Sequence, residues 1–222
     1  HATCDLVRIM LPDSAHIQEA DAELSSRKNR RRGEEPVQPI YTLEDAEAAL
    51  EHFISMPYEN AFMLGDNVRV IFHDAGHIIG SAIVELYVTE GDKTTKLVFS
   101  GDLGQPNQPI IKDPTIVRGA DFLVVESTYG DRLHQIYDKE TALLEIINDT
   151  MDRGGNLIIP SFAVGRTQTL LYYFYNMWKA GRLDGDIPII LDSPLAINAT
   201  RIFMKNFEDF DEDAIKLFKA RG

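Results

Sequence analysis

The sequence predicts an α/β protein, because short apolar runs that are typical of buried strands alternate with segments of helical period. The runs lie in residues 68–72, 96–99, 122–125, 157–160 and 187–191, and they lead to His77, Asp102, Glu126, Ser161 and Asp192 respectively. A strand that is buried on both faces is continuously apolar, and the ligands of layered α/β folds gather at the carboxyl ends of such strands. We therefore expect these polar residues at the functional edges of their sheets.

The N-terminal region is predicted to form two helices separated by an irregular segment. Residues 3–23 have helical character with a break near Pro12, and the polar stretch 25–39 is typical of a linker or a mobile loop. Thr42 and Asp45 then form a capping-box pattern, and apolar residues recur on one face of the helix that follows. This second helix is interpreted as scaffold.

In the C-terminal part, the predicted elements alternate regularly between strand and helix, which is typical of a parallel sheet. Helices are expected around 143–151, over 164–179 and from Pro194 onward, where Ser193 provides the cap. The upstream segments are short strands and loops instead. A domain boundary is therefore predicted near residue 131.

The charge balance argues against nucleic-acid binding through bulk charge, because 35 acidic and 22 basic side chains give a formal net charge of −13. A local channel stays open as an alternative. The one concentrated basic segment is 27–32, with the sequence RKNRRR. Its simplest interpretation is a solvated, flexible connector, and a nucleic-acid contact is the alternative.

The single cysteine, Cys4, excludes an internal disulfide framework and favours a reducing, cytosolic setting. No apolar run in the sequence is long enough to span a bilayer. The sequence therefore predicts a cytoplasmic protein without a membrane partner.

A histidine and an aspartate follow two of the apolar runs on glycine-flanked turns. His77 lies between Gly76 and Gly80, and Asp102 directly follows Gly101. Small residues let a backbone come close to a bound group, and neutral imidazole and carboxylate oxygen are ligands that zinc prefers. The pair alone predicts a metal site only weakly, because a hydrogen-bonded structural histidine is the commoner outcome.

Several motifs in a fixed order identify the family that the chain resembles. Residues 76–82 (GHIIGSA), 100–104 (SGDLG) and 126–130 (ESTYG) closely resemble the metallo-β-lactamase superfamily, specifically its beta-CASP branch of nucleic-acid-processing enzymes. Residues 160–168 (PSFAVGRTQ) and 192–196 (DSPLA) resemble the opening of the beta-CASP domain. The resemblance implies an incomplete αββα sandwich over 1–130, followed over 131–222 by the N-terminal part of a beta-CASP domain with a parallel α/β sheet.

The same resemblance implies roles for three residues. His77 corresponds to a metal ligand, Asp102 to the carboxylate that bridges two zinc ions, and Glu126 to the first beta-CASP motif acid, which orients a histidine active in proton transfer. Asp102 and Glu126 are therefore the predicted catalytic residues. The implied activity is that of a zinc-dependent phosphodiester hydrolase, a ribonuclease that uses a dizinc-activated hydroxide on single-stranded RNA.

Four further residues are candidates for binding the substrate. Arg166 lies near the start of a predicted helix and close to Ser161, where N–H donors and a bidentate guanidinium suit a phosphate. Arg132 and His134 follow the Glu126 motif and are candidates for a second phosphate contact. The alternatives are an interdomain salt bridge for Arg166 and plain surface exposure for Arg132 and His134. His73, four residues before His77, is assigned a structural hydrogen bond.

The sequence departs from the family pattern in one serious respect. The motif His-x-His-x-Asp-His, which carries the principal ligands, is absent from these 222 residues, and so are the later beta-CASP histidines. We therefore expect the chain to be a middle segment that binds metal weakly and is inactive by itself. Two alternatives keep the fold but change the role: a dizinc hydrolase of DNA or of a small ester, and a pseudo-enzyme or assembly subunit. The protein could form a homodimer under the leading interpretation and under both alternatives.

Overall fold

Five strands form one sheet in the computed structural model of the protein, whose described residues are 1–133, 135 and 137–219. The strands are β1 (Phe62–Leu64), β2 (Val68–Asp74), β3 (Ala82–Glu90), β4 (Lys93–Phe99) and β5 (Phe122–Val124). The helices are α1 (Ala2–Arg32), α2 (Leu43–Leu50), α3 (Lys139–Asp152), α4 (Arg166–Lys179), α5 (Pro194–Lys205) and α6 (Glu212–Lys219), with a 3-10 turn at Phe207–Asp209. The predicted α/β class is confirmed.

The sheet is mixed, and its strands lie in the order β1-β2-β3-β4-β5. β1 to β4 pair antiparallel, whereas β5 pairs parallel with β4. β2, β4 and β5 consequently run in the same direction. Their carboxyl ends meet at one edge of the sheet, which is where α/β folds place functional groups.

The first helix differs from the sequence prediction. α1 continues through Pro12 and through the basic segment 27–32 for 31 residues, and it ends where Gly33 adopts a left-handed conformation with φ 71°. Its small and apolar side is buried against α2 and α5. In its last turns, Ser26 and Asn29 form hydrogen bonds with Val37 and Glu35 of the returning segment, and these contacts accompany a helix where the polar composition predicted a loop. In the described part of the chain, neither α1 nor any other helix is both long enough and apolar enough to cross a membrane.

Two predicted strands are also wrong. The segments 157–161 and 187–192 lie outside every strand, and within them Ile158 and Ile190 are 84% and 83% exposed. β5 is a strand although all three of its residues are exposed, because it pairs with β4. A segment forms a strand when a neighbouring strand pairs with its backbone groups. Within the described residues, no strand lies beside these segments, so apolar side chains such as Ile158 and Ile190 are exposed to solvent.

The largest buried cluster joins the beginning of the chain to its end. Its members are Ala2, Leu6, Ile79, Ile110, Ile111, Phe203, Phe210 and Ala214. The cluster ties α1, the loop after β2 and the C-terminal helices together, and so it fixes the surroundings of His77. The domain boundary near residue 131 stays a prediction.

A buried charge network joins β2, β3 and β4 on one face of the sheet. The His73 ring lies between two carboxylates, with Nδ1 2.9 Å from Glu59 Oε2 and Nε2 2.7 Å from Glu85 Oε2. Glu85 also accepts a hydrogen bond from the Tyr87 hydroxyl at 3.0 Å and pairs with Lys96 Nζ. Because an ionised carboxylate can only accept, both ring nitrogens donate and His73 is held as an imidazolium. The predicted structural hydrogen bond of His73 is confirmed.

Candidate metal and phosphate site

Three of the predicted site residues lie at the shared carboxyl edge of the sheet. His77 follows β2, Asp102 follows β4 and Glu126 follows β5. His77 Nε2 lies 4.0 Å from Asp102 Oδ2, and the two side chains are 44% and 74% exposed. An open imidazole and an open carboxylate therefore face the same solvent-accessible position.

The loop that presents His77 is fixed by hydrogen bonds at both ends. The Gly76 N–H donates to Asp74 Oδ1 at 2.8 Å. The hydroxyl of Ser81 accepts from the N–H groups of His77 and Ile78 at 3.1 and 3.3 Å. The side chains of Asp74 and Ser81 therefore stabilise the turn that carries the His77 imidazole.

The loop that presents Asp102 packs backbone to backbone against the His77 loop. The Gly104 N–H donates to the Ala75 carbonyl at 2.8 Å. A Cβ at Gly104 would lie 1.5 Å from the Gly76 carbonyl oxygen and 2.8 Å from the His77 amide nitrogen. Only glycine at position 104 allows the two loops to approach closely enough to bring His77 and Asp102 together.

Replacing Gly104 by alanine is expected to lower the free energy of unfolding by about 3 kcal/mol, because the new methyl group would collide with the peptide unit that joins Gly76 to His77. Urea titration monitored by circular dichroism measures this loss. The control is Gly91→Ala, at a site with φ +58° and open space, where only the backbone strain of about 1 kcal/mol applies. Equal losses in the two variants would show that the loops do not interlock at Gly104.

Glu126 braces the Asp102 loop. Its carboxylate accepts a hydrogen bond from the Leu103 N–H, next to Asp102, and its own N–H donates to the Ser100 hydroxyl at 3.0 Å. The Leu103 N–H, together with the Thr128 hydroxyl, lowers the pKa of the Glu126 carboxyl below its ordinary value. The carboxylate contacts the Asp102 loop and Thr128, and the charge of His77 also acts on it. Its role in orienting a histidine stays a prediction.

The His77 and Asp102 side chains fit zinc in chemistry, because imidazole nitrogen and carboxylate oxygen are donors that zinc accepts at about 2.0 and 2.1 Å. Their donor atoms lie 4.0 Å apart, and a small side-chain rotation brings them to the roughly 3.4 Å that tetrahedral coordination of one ion requires. No group of three or more His, Cys, Asp or Glu side chains is arranged to hold a metal within residues 1–133, 135 and 137–219. The pair therefore supplies part of a coordination shell.

The N-terminus of α4 packs beside the His77 loop. A Cβ at Gly165, the residue that precedes α4, would lie 3.0 Å from Ile78 Cγ2. Arg166 is the first residue of the helix, and its side chain is exposed. The N–H groups of Gly165, Arg166 and Thr167 already donate to Gln168 Oε1 and to the carbonyls of Val164 and Phe162. The exposed guanidinium of Arg166 is therefore the group that this helix start offers to a phosphate, on an element that contacts the His77 loop.

Two buried polar residues that sequence reasoning missed shape this helix start. Gln168 accepts from the Gly165 N–H at 2.7 Å and donates to the Ala163 carbonyl at 3.0 Å. The Thr167 hydroxyl lies 2.7 Å from the Ser161 hydroxyl, so the predicted substrate-binding serine is exposed but tied into the turn. Both residues belong to the PSFAVGRTQ motif, and polar residues followed by a helical apolar pattern were the signal for a capping turn.

The remaining predicted substrate contacts are not brought to the pair. Arg132 is 63% exposed and its guanidinium pairs with the neighbouring Asp131 at 2.9 Å. No contact in the described residues joins Arg132 to His77 or Asp102. His134 lies outside the described residues, so its predicted role stays a prediction.

Comparisons with known proteins identify a family. The Beta-Casp domain model matches residues 167–221. Ribonuclease TTHA0252 of Thermus thermophilus is 38% identical over 178 residues, which are 79% of this chain and 39% of the relative. An RNase J-like protein of Methanocaldococcus jannaschii is 34% identical over 74% of this chain and 38% of its own length. Transcription termination factor FttA of the same archaeon is 31% identical over 68% of this chain and 24% of its own length.

The chain thus spans well under half the length of these relatives. The matched domain, the relatives and the glycine-bounded motifs around His77 and Asp102 all indicate one family. The chain belongs to the beta-CASP branch of the metallo-β-lactamase superfamily.

Proposed function

We propose that the full-length protein is a zinc-dependent ribonuclease that hydrolyses phosphodiester bonds of single-stranded RNA in the cytoplasm. One observation carries the proposal: His77 and Asp102 lie 4.0 Å apart, and the helix start that carries the exposed Arg166 packs against the His77 loop. Metal ligands next to a phosphate site suit the hydrolysis of a phosphate ester. Relatives named ribonuclease and RNase J-like support RNA as the substrate.

His77 and Asp102 are the residues of this chain that would hold zinc. Two zinc ions, when bound, would supply Lewis-acid polarisation of the phosphodiester and a nucleophile at neutral pH. The interlocked Gly76 and Gly104 backbones hold the ligand pair before substrate arrives, and Glu126 keeps the Asp102 loop in place through the Leu103 N–H. Such preorganisation is what a hydrolytic site needs in order to act without rearrangement.

The substrate class is tested with one comparison. The full-length protein is incubated with zinc and with single-stranded RNA, single-stranded DNA of the same base order, or a small phosphate or carboxylate ester. We expect RNA to be cleaved fastest. Preferred cleavage of DNA or of an ester would assign the site to another hydrolase class, and no cleavage of any of them would support a non-catalytic role.

Arg166 is expected to bind the phosphate next to the scissile bond. In the described residues it makes no ion pair, which leaves its guanidinium available and does not support the alternative of a salt bridge. Arg166→Ala should raise KM for RNA roughly tenfold with kcat changed less, since a charge-assisted hydrogen bond contributes about 1.5 kcal/mol or more. Steady-state kinetics on a labelled RNA measure the split between KM and kcat.

Two further variants sharpen the Arg166 test. Arg166→Lys should recover part of the affinity, because an ammonium keeps the charge but loses the bidentate geometry. Arg201→Ala, at an exposed position in α5, should leave both constants unchanged. An unchanged KM in Arg166→Ala would remove Arg166 from the substrate site.

A further inference from the structure

The last two turns of α1 carry a dense group of exposed cations, which we call the basic end of α1. Its members are Arg27, Lys28, Arg30, Arg31 and Arg32, and each has an exposed side chain. The remainder of the chain is strongly acidic, because the whole sequence has a formal net charge of −13. A local positive surface on an acidic protein is a specific place for an anion to bind.

Stabilisation of the helix C-terminus does not explain why five cations lie in its last two turns. A helix C-terminus favours positive charge near its last turn. Here, however, Arg27 is three and four residues from Arg30 and Arg31, and Lys28 is three and four residues from Arg31 and Arg32, and like charges at these spacings are unfavourable. Such repulsion is offset when a polyanion binds.

Neighbouring carboxylates do not neutralise the basic end of α1. Arg27 pairs with Glu23 at 2.5 Å, and both side chains are about two-thirds exposed, at 65% and 64%. In the part of the chain that the structure describes, Lys28 and the three following arginines make no ion pair, although Glu34 and Glu35 follow Gly33. Four cations are therefore available to a partner.

The returning loop holds the basic end of α1 in a fixed orientation. Asn29 Nδ2 donates to the Glu35 carbonyl at 2.9 Å. The Ser26 hydroxyl donates to the Val37 carbonyl at 3.0 Å and accepts from the Val37 N–H at 2.8 Å. At about 100° per helical residue, the cations spread over an arc of roughly 200° that leaves out the direction of Asn29. The positive side is thus ordered and faces away from the loop.

We infer that the basic end of α1 binds the phosphate backbone of the RNA strand whose cleavage the His77 and Asp102 site performs. The inference rests on the proposed ribonuclease function. Four of the five cations are arginines, whose planar guanidinium binds phosphate in a bidentate manner. An acidic protein that acts on RNA must contact the backbone at local positive surfaces, and this segment is the densest in the sequence.

The length of α1 sets how long that RNA must be. At the other end of the helix, the Thr3 hydroxyl donates to the Gly80 carbonyl of the His77 loop at 2.6 Å. Thr3 and Arg27 are 24 residues apart in the sequence, which is about 36 Å along a straight helix at 1.5 Å per residue. A stacked strand at about 3.4 Å per nucleotide needs roughly ten nucleotides to cover this distance. A tetranucleotide at the site cannot reach the basic end of α1.

The test compares a tetranucleotide with a twenty-nucleotide RNA in the full-length protein. The variant is Arg30→Gln with Arg31→Gln and Arg32→Gln. We expect KM for the longer RNA to rise roughly tenfold and the slope of log affinity against log salt to fall by about 2, at 0.7 per lost phosphate contact. KM for the tetranucleotide should stay at the wild-type value.

The matched control neutralises three exposed cations elsewhere: Lys93→Gln, Arg153→Gln and Lys216→Gln. It carries the same change of net charge and should bind both RNAs as the wild type does. Thermal unfolding by circular dichroism checks that each variant is folded. An unchanged affinity for the longer RNA, or an equal loss for both RNAs, would overturn the inference.

Binding measured by fluorescence anisotropy separates the two proposals. If the wild type cleaves neither RNA, the ribonuclease function fails, whereas the anisotropy and its salt slope still report on the basic end of α1. Polyglutamate of similar length is the second probe. Binding of polyglutamate without binding of RNA would assign the surface to an acidic protein partner and overturn the inference.

Discussion

Replacement of Asp102 by alanine in the full-length protein is expected to reduce the rate of RNA cleavage roughly 10³-fold. The loss follows from about 4 kcal/mol of transition-state stabilisation that a metal site supplies and that fails without its carboxylate ligand. In the described residues the Asp102 carboxylate contacts only His77, at 4.0 Å, so its removal should leave the fold intact. Single-turnover cleavage of a labelled RNA at saturating zinc measures the chemical step.

The matched control for Asp102 is Asp92→Ala, an exposed aspartate near the β3–β4 turn. This variant should cleave RNA at the wild-type rate. Cleavage by Asp102→Ala at the wild-type rate would contradict the assignment of Asp102 to the catalytic centre.

Replacement of His73 by alanine is expected to lower the free energy of unfolding by about 2 kcal/mol, because it removes charged hydrogen bonds to the buried Glu85 and to the exposed Glu59, while Glu85 keeps Lys96 and Tyr87. The expected loss depends on pH. Burial opposes protonation of His73, but hydrogen bonds to Glu85 and Glu59 outweigh it and raise the pKa of His73 above 6.5. The stability that His73 contributes is therefore fully present below pH 6.5 and is lost as the pH rises through the folded pKa.

At acidic pH, the stability of the network depends on the protonation of Glu85. Burial of Glu85 is outweighed by its hydrogen bonds to Lys96, His73 and Tyr87, which lower the pKa of the Glu85 carboxyl below 4.5. Its contribution is present above pH 4.5 and is lost as the pH falls through the folded pKa. The network should thus stabilise the sheet most between these two limits.

Urea titrations of the wild type and of His73→Ala between pH 5 and pH 9 test this account. We expect the difference in unfolding free energy to be largest at pH 5 to 6 and to shrink toward pH 9. His16→Ala, an exposed histidine of α1, should show no such difference. A constant difference across the range would contradict the imidazolium between Glu59 and Glu85.

The shared edge of His77, Asp102 and Glu126 was predictable from the sequence. Each residue follows a largely apolar run, and such runs indicate strands whose carboxyl ends gather functional groups. The expected burial is wrong for β5, whose three residues are exposed. The interlocking of Gly104 with Gly76 was not predictable, because it depends on how two loops distant in the sequence approach each other. Local patterns hold no information on that distance.

Local patterns also failed where long-range contacts decide the conformation. The polar residues of 25–32 indicated a loop, but α1 continues to Arg32, and hydrogen bonds of Ser26 and Asn29 tie its last turns to the returning segment. The runs 157–161 and 187–192 indicated strands, but strand formation depends on neighbours that the described residues do not place beside them. Charge density in 27–32 was visible in the sequence, whereas its ordered, outward presentation required the structure.

The most direct test of the central claim is the zinc content per chain of the full-length protein, measured by native mass spectrometry for the wild type, His77→Ala and Asp102→Ala. We expect about two zinc ions in the wild type, as in two-metal hydrolytic sites, and the loss of at least one in each variant. Zinc content equal to the wild type in both variants would contradict the claim that His77 and Asp102 hold the metal.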